Sequence, residues 1–217
     1  MKKKVLALTA VMALGIFSAA AANDNVTFSK PVRLLKPNVE SSFEKDFEWN
    51  DVDYSVKEKN NQLIFEFNDN KFREKHDIKG YHVTGAEIGD LNGDNYPEIF
   101  VYLKADEMGN QMKLIGYSSN NGKSMSQVYL PQPDEVADAT AYQGFRGFDE
   151  MSIIENNFCR RFPVIENKDG ALYMNGMMRQ IQYKLVDGEA CRRLEIDRYY
   201  EYPIMMEKYS ELFADNS

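Results

Sequence analysis

Residues Ile99-Phe100-Val101-Tyr102-Leu103 are apolar without a break, and polar turn residues stand on both sides of them. A run of this length, rich in β-branched and aromatic side chains, predicts a strand buried on both faces at the centre of a sheet. A second apolar run, Leu114-Ile115-Gly116-Tyr117, predicts the neighbouring strand. Residues 105–111 then form the loop between two core strands, and binding residues concentrate on loops that a rigid scaffold presents. The tip of that loop, Met108, Gly109, Asn110 and Gln111, is the first candidate for function.

The rest of the chain reads as short strands. Leu63, Phe65 and Phe67 alternate with polar or mixed neighbours, and with residues 47–56 they predict a hairpin turned at Lys59-Asn60-Asn61, with Trp49 in the core. Residues 68–80 are charged and predict a loop, and 81–88 a further strand of the central sheet. Asn121-Gly122 marks a tight turn before a strand over 126–130, which Pro131 and Pro133 end. Residues 134–148 carry Tyr142, Phe145 and Phe148 among acids and glycines, and predict a long loop folded back over the sheet. Strands follow at 151–155 and 158–165. The second sets Phe158, Arg160, Phe162 and Val164 on one face and Cys159, Arg161 and Ile165 on the other. Residues 179–186 and 190–196 form the last hairpin, turned at Asp187-Gly188. Pro203 with Met205, Met206, Tyr209, Leu212 and Phe213 fits a short C-terminal helix with proline in its first turn. About ten short strands with hardly any helix predict an all-β fold, an antiparallel β-sandwich in preference to a partly closed barrel.

Composition adds a compartment and a charge. Lys2, Lys3 and Lys4, the apolar residues 5–19 and Ala20-Ala21-Ala22 have the form of a signal peptide over 1–22. The expected organisation is that leader, an extended N-terminal arm over 23–42, a β-domain over 43–198 and the helical tail 199–217. No cysteine follows the apolar segment to take a lipid, and no later stretch reaches the ~20 apolar residues of a membrane span, so the expectation is a secreted, periplasmic protein. Without its leader the chain has 23 basic and 34 acidic residues, a net charge of −11. That excess disfavours nucleic acid and favours cationic partners. Cys159 and Cys191 are an even pair in an oxidising compartment, which predicts a disulfide over two unbonded thiols.

Candidate chemistry is sparse. Asp90, Asn92, Asp94 and Glu98 stand at positions one, three, five and nine of a calcium-loop-like spacing, but Asn95 occupies the glycine position and Tyr102 the twelfth. The same residues stabilise turns by bonding their own backbone, with no ion. His76 and His82 lie in no metal or triad spacing and read as surface or sheet-edge residues. No nucleophile elbow, phosphate loop, zinc helix or dinucleotide fingerprint occurs, so no catalytic residue and no cofactor are expected beyond that calcium option.

Several segments, taken in order, resemble one family. They are residues 83–94 (VTGAEIGDLNGD), 96–102 (YPEIFVY), 122–126 (GKSMS) with 129–131 (YLP), 160–164 (RRFPV) and 179–189 (RQIQYKLVDGE). Together they resemble the periplasmic lysozyme inhibitors directed at invertebrate-type lysozymes, over roughly residues 40–196. The resemblance implies a β-sandwich that blocks the lysozyme's substrate cleft with the loop between the two core strands. In the family that loop carries a serine and a tyrosine; the matching positions here hold Asn110 and Gln111, and of the tip only Gly109 keeps its type. The acidic turn by itself also resembles the FG-GAP repeat loop, which implies a calcium-associated binding module for another protein or a glycan.

Overall fold

Pairs of asparagine and aspartate set the first sheet. Strands β1 (Glu44–Trp49), β2 (Val52–Lys59), β3 (Gln62–Phe67) and β4 (Phe72–Asp77) form an antiparallel meander. Its two tightest turns, Asn50-Asp51 and Asn60-Asn61, have both central residues at φ of 51° to 60°, the primed geometry whose twist matches the flanking strands. In this computed structural model the described residues are 42–68, 71–106 and 112–204. The predicted leader, nearly all of the N-terminal arm, the tip Met108 to Gln111, and residues 205–217 of the predicted helix lie outside them.

The second sheet has eight strands: β5 (Tyr81–Gly89), β6 (Glu98–Ala105), β7 (Lys113–Asn120), β8 (Ser124–Tyr129), β9 (Glu150–Ile154), β10 (Asn157–Lys168), β11 (Ala171–Val186) and β12 (Arg192–Pro203). Their order is β5-β6-β7-β8-β12-β11-β10-β9. All neighbours are antiparallel except β8 and β12, which run parallel through Val128–Arg192 and Tyr129–Arg193. The sheet curls until its outer strands meet. The Ile153 amide on β9 donates to the Glu87 carboxylate on β5 at 2.6 Å, and Gly89 lies against the Ile153 side chain. A carboxylate therefore does at the seam what a backbone ladder does elsewhere.

Two cores follow from this arrangement, and β6 divides them. Ile99, Val101 and Leu103 point toward the four-stranded sheet and pack with Tyr54, Val56, Leu63, Phe65 and Phe67. Phe100 and Tyr102 point into the curled sheet with Phe158, Phe162, Ile181 and Tyr183. An unbroken apolar run is what such a strand requires, because neither of its faces meets water. The β2 residue Glu58 also ties the sheets, its buried carboxylate accepting the Val83 amide of β5 at 3.0 Å. Residues 134–148 fold back as predicted, a 3₁₀ turn (Ala139–Tyr142) delivering Ala141 and Tyr142 to the second core.

Several expectations are corrected. The charged stretch 68–80 contains β4, an edge strand whose Arg73, Glu74, Lys75 and Asp77 protect an open sheet edge. The final strand does not stop at Ile196 but continues to Pro203, so residues 199–203 are strand, not the first turn of a helix; proline is tolerated there because it ends an edge-like segment. Cys159 and Cys191 are both free thiols. Cys159 pairs with Gln182, which pairs with Arg198, and Cys191 precedes Arg198 by seven residues. The strand geometry puts them roughly 20 Å apart, far beyond the ~7 Å Cα separation that a bridge allows.

Alkylation in urea without reductant is expected to label two thiols per chain, and dithiothreitol to leave the melting temperature unchanged. A single intramolecular crosslink by mass spectrometry reverses this assignment. Gly116 faces Phe100 across β6 and β7, and a Cβ there stands 2.7 Å from the ring. Gly116→Ala is expected to cost about 1–3 kcal/mol in urea denaturation through forced repacking.

Candidate functional site

The loop between β6 and β7 starts at Asp106 and returns at Met112, and both stems are anchored. Asp106 Oδ1 accepts from His82 Nδ1 at 3.2 Å. Lys113 Nζ sits 3.9 Å from the centre of the Tyr81 ring. On the returning side the Met112 amide donates to Asp149 Oδ1 at 2.8 Å, while Asp149 Oδ2 accepts from Arg160 Nε at 2.7 Å. Arg160 is 2% exposed, lies over the Phe145 ring at 4.7 Å and also donates to the Tyr142 hydroxyl at 3.2 Å. Removing either member of such a buried pair leaves an uncompensated charge. The loop's exit is thus fixed by a buried ionic link between β10 and the 131–149 connection.

A cleft of about 610 Å³ opens at the foot of the loop, along the seam between β5 and β9. Lys104 and Met112 from the stems line it, with Glu87, Tyr102, Glu150 and Met151 among its walls. Glu87 accepts from the Tyr102 hydroxyl at 2.5 Å as well as from Ile153. Burial and the neighbouring Glu87 carboxylate push the Tyr102 phenol far above its usual range, so it stays a donor.

The acidic turn lies at the other end of β6, about 25 Å from the loop by strand rise, so the two sequence candidates are not one site. Asp90 Oδ1 accepts the Gly93 amide at 2.8 Å and the Asp94 amide at 3.2 Å, and its Oδ2 accepts the Asn95 amide at 2.9 Å. Asp94 Oδ1 accepts the Tyr96 amide at 2.8 Å, and Asn92 Nδ2 donates to Asp94 Oδ2 at 2.8 Å. Trp49 Nε1 and Asn50 Nδ2 from the other sheet both donate to the Asn95 carbonyl. Arg192 approaches Asp94 Oδ2 at 3.5 Å and Glu98 Oε1 at 3.7 Å. Among the described residues no group of three or more His, Cys, Asp or Glu side chains is arranged to hold a metal ion. The carboxylates are spent on backbone amides and a guanidinium, which is the turn-forming use of these residues.

Glu98 is the unusual member of that cluster. It is fully buried, accepting the Ser118 hydroxyl at 2.6 Å on one oxygen and the Leu91 amide at 2.8 Å on the other. Burial pushes its pKa up to about 7, against the opposing pull of the Ser118 and Leu91 bonds and of Arg192. His76 and His82 sit on the edge strands β4 and β5. His76 Nε2 lies 2.5 Å from the Tyr117 hydroxyl; neither histidine belongs to the loop tip.

Sequence reading missed Asp149, Arg160 and Glu87 as anchors of the loop and seam. Arg160 did carry a signal: an arginine between Phe158 and Phe162 on an apolar face needs a buried partner. Its partner Asp149 lies in a connection without periodicity, where no such signal exists. No family model, no curated protein and no solved structure matches this chain.

The pH dependence of Glu98 has a definite sign. Its folded pKa is raised above the ordinary 4.5, so its stabilising contribution is complete below about pH 4.5 and is lost as pH rises through about 7. Relative to Glu98→Gln, the wild type is expected to lose on the order of 3 kcal/mol between pH 4.5 and 7.5, read as the difference between the two urea-denaturation profiles across that range. Parallel profiles for the two proteins contradict the buried-carboxyl assignment.

Proposed function

We propose that this chain is a periplasmic, non-catalytic binding protein that inhibits a lysozyme, with a β-sandwich platform holding the loop of residues 106–112 against the enzyme's substrate cleft. The observation that carries the reading is the anchoring of that loop. It joins the strand buried on both faces to its neighbour, and its exit is tied to the Asp149–Arg160 pair. Stems held at Asp106 and Met112 spare those two ends of the loop an ordering cost on binding. The lysozyme assignment is supported by the ordered resemblance of residues 83–94, 96–102, 160–164 and 179–189 to inhibitors of invertebrate-type lysozymes. Against a cationic lysozyme, the net charge of −11 without the leader speeds encounter more than it strengthens the complex. Asn110 and Gln111 supply amide donors and acceptors where the family has a hydroxyl and a phenol, so the contact made here is polar and small.

Nothing in the acidic turn favours the alternative of a calcium-associated FG-GAP-like module over this reading, since its oxygens are already bonded.

The test is a turbidimetric lysis assay with the leaderless protein and invertebrate-type, chicken-type and goose-type lysozymes. Inhibition of the invertebrate type is expected, with Asn110→Ala/Gln111→Ala weakening it at least about tenfold, the scale of a lost interface anchor. Indifference of all three enzymes to excess protein overturns the proposal.

A further inference from the structure

The seam cleft carries chemistry that the loop's role does not use. Its carboxylates are already engaged: Glu87 by the Tyr102 hydroxyl and the Ile153 amide, Asp149 by Arg160 and the Met112 amide, and Glu150 by two Arg161 nitrogens. The two ammonium groups of the lining, among the described residues, meet no carboxylate. Lys45 donates to the neutral Ala86 carbonyl at 2.8 Å and keeps two further N–H groups. Among the described residues the Lys104 ammonium makes no hydrogen bond or ion pair, its backbone alone pairing with β5. Arg160 and Arg161 offset Asp149 and Glu150, and the two ammonium groups outnumber the remaining Glu87 carboxylate, so the cleft is net positive in a chain whose net charge is −8. Exposed acids elsewhere on the surface are screened beyond about 8 Å at physiological salt, so the local cations decide what the cleft attracts.

The remaining lining is apolar. Phe43 comes from the segment entering β1, Met112 from the loop stem, and Met151 from β9, with Ala86 and the Tyr102 ring between them. At about 610 Å³ the space is of the size that holds small molecules, which a few placed polar groups orient over an apolar floor. An added peptide strand suits it less well. Strand addition uses free backbone groups at a sheet edge, and here the Ala86 carbonyl is capped by Lys45 and the Ile153 amide by Glu87.

We propose that the seam cleft between β5 and β9 binds a small amphipathic carboxylate, the anionic head between the Lys45 and Lys104 ammonium groups and the apolar tail against Phe43, Met112 and Met151. This site stands apart from the lysozyme reading and survives its failure. Its probe is decanoate, with decyltrimethylammonium as the cation of matched tail, added to protein labelled with ¹³C at the methionine methyls. Saturable shifts of Met112 and Met151 are expected, while Met125 and Met178, buried elsewhere, stay still. Lys104→Glu alters a side chain with no described partner and leaves the fold intact; it is expected to weaken decanoate at least about tenfold, a change of about 1.4 kcal/mol. No saturable shift at millimolar decanoate, an equal response to the cation, movement of all methionines together, or an unchanged affinity in Lys104→Glu each overturns the proposal.

Discussion

Burial of β6 on both faces is the constraint from which the architecture follows. A strand with Ile99, Val101 and Leu103 on one side and Phe100 and Tyr102 on the other exposes no face, so two separate layers must cover it. The four-stranded sheet supplies one layer and the curl of the eight-stranded sheet supplies the other. Fully burying each of these side chains contributes about 1.5–3 kcal/mol relative to exposure, which makes this strand costly to displace. The acidic turn before β6 and the stem residue Asp106 after it are attached directly to that strand.

Polar groups are admitted to this interior where a partner stands ready. Arg160 meets Asp149 and Tyr142, Glu58 meets the Val83 amide, and Glu98 meets Ser118 and Leu91. Each acts where backbone pairing stops: at the bulge of β5, at the loop exit and at the start of β6. Glu87 does the same at the seam, closing a sheet that lacks its last ladder. Such bonds have strict geometry, and leaving a buried donor or acceptor unpaired costs about 1–3 kcal/mol. They hold the curvature that apolar packing alone does not specify.

Patterns with short range were legible from the residues. The buried strand, the Asn60-Asn61 and Asn121-Gly122 turns, and the return of residues 134–148 over the sheet all rest on local periodicity or turn chemistry. The misreadings have one cause. Strand β4 is polar because it lies at an edge, β12 runs on to Pro203 because β11 continues beside it, and Cys159 is separated from Cys191 because strand register carries them apart. Edge position, strand partner and register belong to the pairing of segments and leave no mark in a single strand. The cleft was invisible for the same reason, since its walls come from β1 and the segment entering it, from β5, β6 and β9, and from the connections before β7 and β9.

Alternation of side chains, turn residues and the apolar run at 99–103 determined by themselves that this is an all-β protein with a doubly buried strand and a loop carried on it, because those signals act within a few residues. The tertiary structure alone decided that the second sheet curls to near closure, that Glu87 and Lys45 cap its seam, and that Arg160 reaches Asp149 to hold the loop's exit. Those outcomes depend on which segments become neighbours, and a neighbour's identity is set by the packing of the whole chain.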